Sequence, residues 1–355
     1  MENFRERRLL LRLGILVAAV VVGLITAEVI LSLLWNNPFR NQDASMLVLL
    51  RANHSNAHLV FDRSPINRTD PEIRYRTDER GYILPSIRFE NPDYTVAFLG
   101  GSTTECMYVR EEFRFPAHTS ALLEEVGYDV NTLNFGRSGN DIHHSINNLL
   151  NHVIEDRPDV VVLMHAWNDI GHLTQMGSYQ LAMGNRPTMG ALGRLFVQKS
   201  SPRLNLVSLV RHTIDLQTVK RRLVDGTESS SAGAVELPET AISQFKDRLR
   251  AFVYLSRAFG ITPVLMTQPS SSQRNELTPE WIDRPVQKHF TKAVREVAAE
   301  ENAELIDLIQ FLLDKESELG KFPEPVFYDG VHLTDYGSVL YAEHIAKRLA
   351  EIFNR

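Results

Sequence analysis

The stretch "TVAFLGGSTTE", Thr95 to Glu105, decides how the rest of the chain is read. An apolar run of strand formers stops at Gly100 and Gly101, Ser102 follows at once, and the next residues suit the first turn of a helix. A strand apolar on both faces that feeds straight into a helix belongs to a parallel sheet covered on both sides. Gly100 and Gly101 are expected to permit a sharp turn with positive φ. Such a junction sets Ser102 at the carboxyl edge of the sheet, where open α/β sheets hold ligands. It also sets Ser102 at a helix N-terminus, whose free N–H groups favour developing negative charge. A serine there reads either as a nucleophile or as a helix N-cap.

The same alternation continues outward from this junction. Strands are expected at Thr95–Leu99, Val130–Phe135, Val160–His165, Pro263–Thr267 and Glu304–Leu308. Helices are expected at Phe115–Val126, Asp141–Glu155, Thr240–Phe259, Thr278–Glu300 and about Asp335–Phe353. Right-handed crossovers then build a three-layer α/β/α sandwich on a five-stranded parallel sheet of flavodoxin-like type. An insertion, about 171–239, separates the third and fourth strands. It holds the glycine-rich "MGNRPTMGALG", an amphipathic helix from Arg203 to Leu223, and "DGTESSSAGA", flexible by composition. On that helix Leu206, Val207, Val210 and Ile214 share one face, while Arg211, Lys220, Arg221 and Arg222 make it basic. The readings are a helix that caps the core with a solvated basic face, a lid, or a surface resting on lipid headgroups.

Three further strand ends carry polar groups. "NFGRSGN" closes the second strand, and Gly139 there lets the backbone approach a ligand and offer its N–H. "HAWND" closes the third, and Asn168 is a neutral donor of the kind that stabilises an oxyanion without being ionised itself. After the fifth strand comes "VFYDGVHLTDYG", where Asp329 stands three residues before His332. One turn can hold that carboxylate on Nδ1 and leave Nε2 facing outward, as a general base requires. The D-x-x-H spelling recurs at Asp141/His144 and Asp169/His172, so position must separate the three. Asp141 opens a helix as an N-cap, His172 lies in the insertion, and only Asp329/His332 sits on a late, separate loop. In a sheet of order 2-1-3-4-5, Ser102, Gly139 and Asn168 come to neighbouring carboxyl edges around the switch point.

With these residues assembled, the chain resembles the SGNH (GDSL-type) hydrolase family from about Tyr94 to Arg355. "FLGGSTTE", "NFGRSGN", "HAWND" and "DGVHLTDYG" are similar to its four sequence blocks, in family order. The resemblance implies Ser102 as nucleophile, His332 and Asp329 as the rest of a triad, and an oxyanion hole from Ser102, Gly139 and Asn168. It implies no metal and no organic cofactor. "YRTDERGY" is similar to a short segment that precedes the first block in membrane-anchored bacterial members. Two positions depart from the family: Gly101 stands where aspartate is usual, and Ala166 where glycine is usual. Neither is a reacting group.

The N-terminus departs from the globular pattern. "LGILVAAVVVGLITAEVILSLLW", Leu13 to Trp35, is long and apolar enough to cross a hydrocarbon core of about 30 Å. Arg5, Arg7, Arg8 and Arg12 precede it and only Arg40 lies just beyond, so the positive-inside rule keeps the N-terminus cytoplasmic. A cleaved signal peptide is the alternative; against it, the apolar run continues past Ala27 and Ile25 suits a cleavage site poorly. Glu28 breaks the span, and is expected to snorkel to the far interface or to pair with another helix. The expected organisation is residues 1–35 as cytoplasmic N-terminus and anchor, 36–93 as stalk and short β segments, and 94–355 as the hydrolase domain with its insertion.

Totals exclude several classes. A net charge of −6 with no basic run longer than three residues argues against nucleic acid as a partner. The single cysteine, Cys106, allows no intrachain disulfide and no zinc site on paired cysteines, and is expected to be a small buried side chain. The expectation is an inner-membrane, single-pass esterase or deacetylase facing the periplasm, acting on O-acyl groups of envelope glycans. Two alternatives stand beside it: an O-acetyltransferase with the same triad, and a tethered binding or assembly module with a silent site.

Overall fold

The computed structural model describes residues 2–35, 37, 50–64, 66–176, 178–179, 197, 200–201, 203–214, 239–270 and 285–355. The glycine-rich stretch 183–193, the segment 225–234, most of 36–49 and the expected helical residues 215–223 and 278–284 lie outside them. The chain divides into two compact units, 1–44 with 185–225, and 45–184 with 226–355.

The larger unit is the layered sheet. Its strands are β3 (Tyr94–Gly100), β4 (Val130–Asn134), β5 (Val160–Met164), β6 (Thr262–Met266) and β7 (Glu304–Ile306). All neighbours pair in parallel, in the order β4-β3-β5-β6-β7, which is the expected 2-1-3-4-5. Side chains alternate between two apolar cores, as the pleat demands. Val96, Phe98, Val162 and Met164 face α3 (Phe115–Glu125), α8 (Leu308–Leu319) and α9 (Asp335–Phe353). Ala97, Leu99, Val161 and Leu163 face α4 (Ile142–Asn151), α5 (Trp167–Met176), α6 (Glu239–Ala258) and α7 (Pro285–Glu300). Every residue of β4 and β5 is buried; β5 therefore reads as an unbroken apolar strand, while β4 also buries the polar Asn131, Thr132 and Asn134.

Before the sheet, β1 (His58–Asp62) and β2 (Glu72–Arg76) pair antiparallel. The expected hairpin around Glu79-Arg80-Gly81 is present: Thr77 pairs with Ile83, and Gly81 takes φ +84° at the turn. Ile83 bridges on to Asn134, so this segment is fastened to the carboxyl end of β4.

The smaller unit contains α1 (Glu2–Leu34), whose stretch Leu11–Leu34 has a mean hydropathy of 2.6 and no buried residue. A second helix runs over 205–214. It does not face inward with its apolar side. Asn205 and Ser208 are buried, whereas Val210 and Ile214 are 50% and 56% exposed. The polar side packs on α1. The Glu28 carboxylate accepts the N–H groups of Asn205 (2.6 Å) and Leu206 (2.9 Å), and Trp35 Nε1 donates to Ser208 Oγ (3.3 Å). Of the two fates expected for Glu28, pairing with another helix is the one observed.

Candidate active site

The junction between β3 and α2 (Ser102–Glu105) does not use its glycines as the sequence suggests. Neither Gly100 nor Gly101 has positive φ; Gly101 sits at φ −89°, ψ −152°. What forbids a side chain is space. A Cβ on Gly100 would lie 2.1 Å from Thr104 Oγ1 and 2.9 Å from the Met164 carbonyl. On Gly101 it would lie 2.7 Å from Asn168 Nδ2. The departure from the usual aspartate at position 101 thus has a steric counterpart: the Asn168 amide fills the room a Cβ would need. Gly101 also takes the N-cap of α2 (Ser102–Glu105) with no side-chain bond, so Ser102 is the first helical residue and its hydroxyl is not spent on capping.

That hydroxyl lies 2.7 Å from His332 Nε2, and His332 Nδ1 lies 2.6 Å from Asp329 Oδ2. The loop that brings them is a tight hairpin, with Phe327 paired to Leu333 and Tyr328 N donating to the His332 carbonyl. The Tyr328 ring stacks on the imidazole at 5.6 Å. Asp329 Oδ1 accepts the N–H groups of Val331 (2.8 Å) and His332 (2.7 Å). Burial pushes the Asp329 carboxyl up, but the bond and charge of His332 and the two backbone donors outweigh it and hold it below its ordinary value. An ionised carboxylate on Nδ1 leaves Nε2 as the acceptor for a hydroxyl proton, the arrangement that activates a serine.

Register brings the other two predicted residues alongside. Phe98 pairs with Asn134 and Gly100 with Met164, so the loops after β4 and β5 flank Ser102. Gly139 takes φ +75°, and its N–H bonds to no group among the described residues. Asn168 Nδ2 donates to the Asn140 carbonyl at 2.7 Å, which ties the two loops together and engages one of that amide's two hydrogens.

Four residues that the sequence reading passed over hold this arrangement. Glu105 is buried; its carboxylate accepts the Ser138 N–H (2.7 Å) and hydroxyl and the Tyr75 phenol (3.1 Å). The S-T-T-E spelling would have suggested a capping box, yet the carboxylate crosses to the neighbouring loop. Arg51 donates to the carbonyls of Ser138 (2.9 Å) and Gly139 (3.2 Å), bracing the same loop from a segment read only as stalk. Thr103 Oγ1 lies 3.4 Å from the Val331 carbonyl and accepts from Gln268 Nε2 at 3.0 Å, while Gln268 Oε1 accepts the Trp167 N–H. These contacts join the Ser102, His332 and Asn168 loops.

The other D-x-x-H pairs fall out as position suggested. Asp141 caps α4 and closes a capping box with His144, Nδ1 to Oδ1 at 2.6 Å, repeating the local geometry of Asp329 and His332. His172 stacks on Tyr179. A second serine–histidine–aspartate series does exist. Ser145 Oγ lies 2.7 Å from His165 Nε2, and His165 Nδ1 lies 3.5 Å from Asp169 Oδ2. Its His and Asp side chains are 2% and 0% exposed, against 28% and 27% for His332 and Asp329. Burial lowers the His165 imidazole to about 3 and raises the Asp169 carboxyl to about 7. This pair is sealed from solvent, with the imidazole neutral above about pH 3 and the carboxyl protonated below about pH 7. Cys106 is likewise buried, donates to the Thr103 carbonyl, and burial pushes its thiol up to about 12. Among the described residues no group of three or more His, Cys, Asp or Glu is placed to hold a metal.

Asp169 yields a stability prediction. A carboxyl whose folded pKa lies above its unfolded value of about 4 contributes stability that is full below that value and lost as pH rises through about 7. Asp169→Asn keeps an acceptor for the Ile142 N–H and the Tyr179 hydroxyl and removes the charge. The variant should melt above the wild type at pH 8, with the gap closing toward pH 4. A difference independent of pH, followed by calorimetry, would contradict a neutral Asp169.

No curated protein matches the chain by sequence. Similar solved structures include an acetyl xylan esterase at 19% identity, covering 71% of this chain and 98% of that one with a TM-score of 0.46. A GDSL-like lipase from Parabacteroides merdae is 16% identical, covering 75% and 99% with a TM-score of 0.46. The acetylxylan esterase Axe2 from Geobacillus stearothermophilus is 17% identical, covering 73% and 95% with a TM-score of 0.44. The family model for GDSL-like lipases and acylhydrolases matches residues 98–340, a span running from the Ser102 strand to beyond His332. That match takes in more than half of the chain, and the chain belongs to the GDSL-like lipase/acylhydrolase family.

Proposed function

We propose that the chain is a membrane-anchored serine esterase that removes O-acyl groups, acetyl among them, from glycans of the cell envelope. The observation that carries the chemistry is the 2.7 Å approach of Ser102 Oγ to His332 Nε2, with Asp329 2.6 Å from Nδ1. His332 takes the serine proton as Oγ bonds to the ester carbonyl. The oxyanion lies among the Ser102 N–H, the Gly139 N–H and the second amide hydrogen of Asn168. The proton passes from Nε2 to the departing alcohol oxygen, leaving an acyl-serine. Water, losing a proton to His332, then attacks the acyl carbon; the acid leaves and the proton returns to Ser102. This mechanism calls for no metal or organic cofactor.

The test is covalent labelling by a fluorophosphonate together with release of p-nitrophenol from its acetate ester. Wild-type protein that neither labels nor hydrolyses would instead fit a silent tethered module. A sugar hydroxyl resolving the acyl-enzyme would make the protein an O-acetyltransferase, so free acetate and acetylated glycan are to be quantified side by side.

Anchoring is supported by contacts inside the smaller unit. Cleaving α1 away would strip Asn205 and Leu206 of the Glu28 carboxylate and Ser208 of Trp35, leaving helix 205–214 with its polar side uncovered. A retained α1 with basic residues before it puts the catalytic unit outside the cytoplasm, at the inner membrane.

Two substitutions test the support around the serine. Asn168→Ala should lower kcat by roughly 10²–10³ with little change in KM, as loss of one oxyanion donor does. An unchanged kcat would remove Asn168 from the site. Glu105→Gln replaces an acceptor-only carboxylate with a group that turns an amide toward a donor of Ser138 or Tyr75. It should destabilise the protein by about 1–3 kcal/mol. It should also slow turnover by displacing the Gly139 loop, while labelling of Ser102 persists. Full activity with full stability would show that the loop holds itself.

A further inference from the structure

Helix 205–214 is built inside out for water. The residues it buries are polar: Asn205 at 4% and Ser208 at 0% exposure, with Ser201 at 0% in the turn before it. The residues it shows are mostly apolar: Val210 at 50% and Ile214 at 56%, with Leu204 at 41% just ahead and Thr213 the one polar residue exposed among 205–214. A surface helix of a soluble domain does the reverse. Polar and small residues at a helix contact, with apolar ones outward, is the pattern of packing in lipid.

Its partner fixes the depth. Glu28 lies within the apolar span Leu11–Leu34, and its carboxylate receives the first two N–H groups of the helix, from Asn205 and Leu206. Six residues separate Glu28 from the end of α1, about 9 Å at 1.5 Å per residue. A helix lying in the headgroup and acyl boundary buries its apolar face by roughly 5–10 Å, so the two depths agree. Both ends of the contact satisfy each other. In a bilayer an ionisable group inside a span needs a partner, and the free N–H groups of a helix start need acceptors. Higher up, Trp35 Nε1 donates to Ser208, its ring meets His212 at 5.4 Å, and Asn37 bonds to Ser201 and Ser208. Trp35 thus stands at the level where tryptophan belts mark the interface. Arg203, exposed just before the helix, suits anionic headgroups.

We propose that helix 205–214 is a second membrane element, lying in the lipid interface beside α1, with its apolar face on acyl chains and its start latched to Glu28. The proposal rests on the reading of α1 as a retained anchor, and the test separates the two. Full-length protein in vesicles of phosphatidylethanolamine and phosphatidylglycerol would carry one cysteine at a time, Val20→Cys, Val210→Cys or Ile214→Cys, labelled with an environment-sensitive fluorophore. Cys106 is buried, and unsubstituted protein supplies the background. At positions 210 and 214 we expect blue-shifted emission, quenched more by nitroxides near the headgroups than by nitroxides at chain ends. Adding Glu28→Ala should abolish that quenching while leaving quenching at position 20. Water-like emission at 210 and 214 with quenching at 20 overturns the proposal and leaves the anchor standing. Blue-shifted emission untouched by lipid nitroxides overturns it in favour of a second copy of the chain. Quenching indifferent to Glu28→Ala overturns the latch, and loss of quenching at position 20 overturns the anchor and this proposal together.

Discussion

Ser102→Ala is expected to abolish both fluorophosphonate labelling and hydrolysis of p-nitrophenyl acetate, lowering kcat by roughly 10⁵–10⁶-fold, the scale seen when a triad serine is deleted. The substitution takes away one hydroxyl and its bond to His332. It leaves Gly101 at the cap, Asn168 against the Asn140 carbonyl and the whole apolar core untouched. The melting temperature should therefore stay within a few degrees of the wild type. Loss of activity without loss of fold is the informative pairing. Labelling that persists in the alanine variant would move the nucleophile elsewhere. The sealed Ser145–His165–Asp169 series offers no such place, because burial keeps its imidazole neutral down to about pH 3 and its carboxyl protonated up to about pH 7.

Asp329→Asn should cost about 10⁴ in kcat, the magnitude expected when the imidazole is held in the wrong tautomer. Oδ1 of the asparagine can still accept from the Val331 and His332 N–H groups, so the hairpin keeps its shape. The amide then donates to Nδ1 where the carboxylate accepted, and Nε2 carries the proton and points it at Ser102. A nucleophile cannot lose a proton to a nitrogen that already has one. Fluorophosphonate labelling should slow in parallel with turnover, since both begin with the same proton transfer. A loss of only a few-fold in both would mean that the Tyr328 stack alone positions the ring.

Some elements were open to inspection in the chain and some were hidden, for identifiable reasons. β5 is apolar at every position, and no helix period fits Val160–Met164, so its place in a covered parallel sheet could be read directly. The fifth strand, expected over Glu304–Leu308, ends at Ile306. Asp307 takes the cap of α8, accepting from Gln310 N, with apolar residues on both sides of it, Leu305 and Ile306 in the strand and Leu308 and Ile309 in the helix. The start of α5 was hidden in the same way: an Asn-Asp pair after a strand spells a turn, yet here it is the first turn of a helix. The helix in the insertion was legible as amphipathic, but not the direction of its apolar face. Periodicity reports that a face exists; the partner decides which side it shows.

The chain by itself determined the layered parallel sheet, the apolar N-terminal span and the four segments that end at the sheet's carboxyl edge. Those properties follow from the local alternation of apolar and polar residues and from turn chemistry, which act over a few residues. Tertiary structure alone decided that Ser102 and His332, 230 residues apart, share a proton-transfer distance. It alone set Glu105 and Arg51 to hold the Gly139 loop, and it alone made one of two serine–histidine–aspartate series half-open and the other sealed. Solvent exposure and contacts between distant segments are properties of the packed whole, and the local pattern of a sequence carries neither.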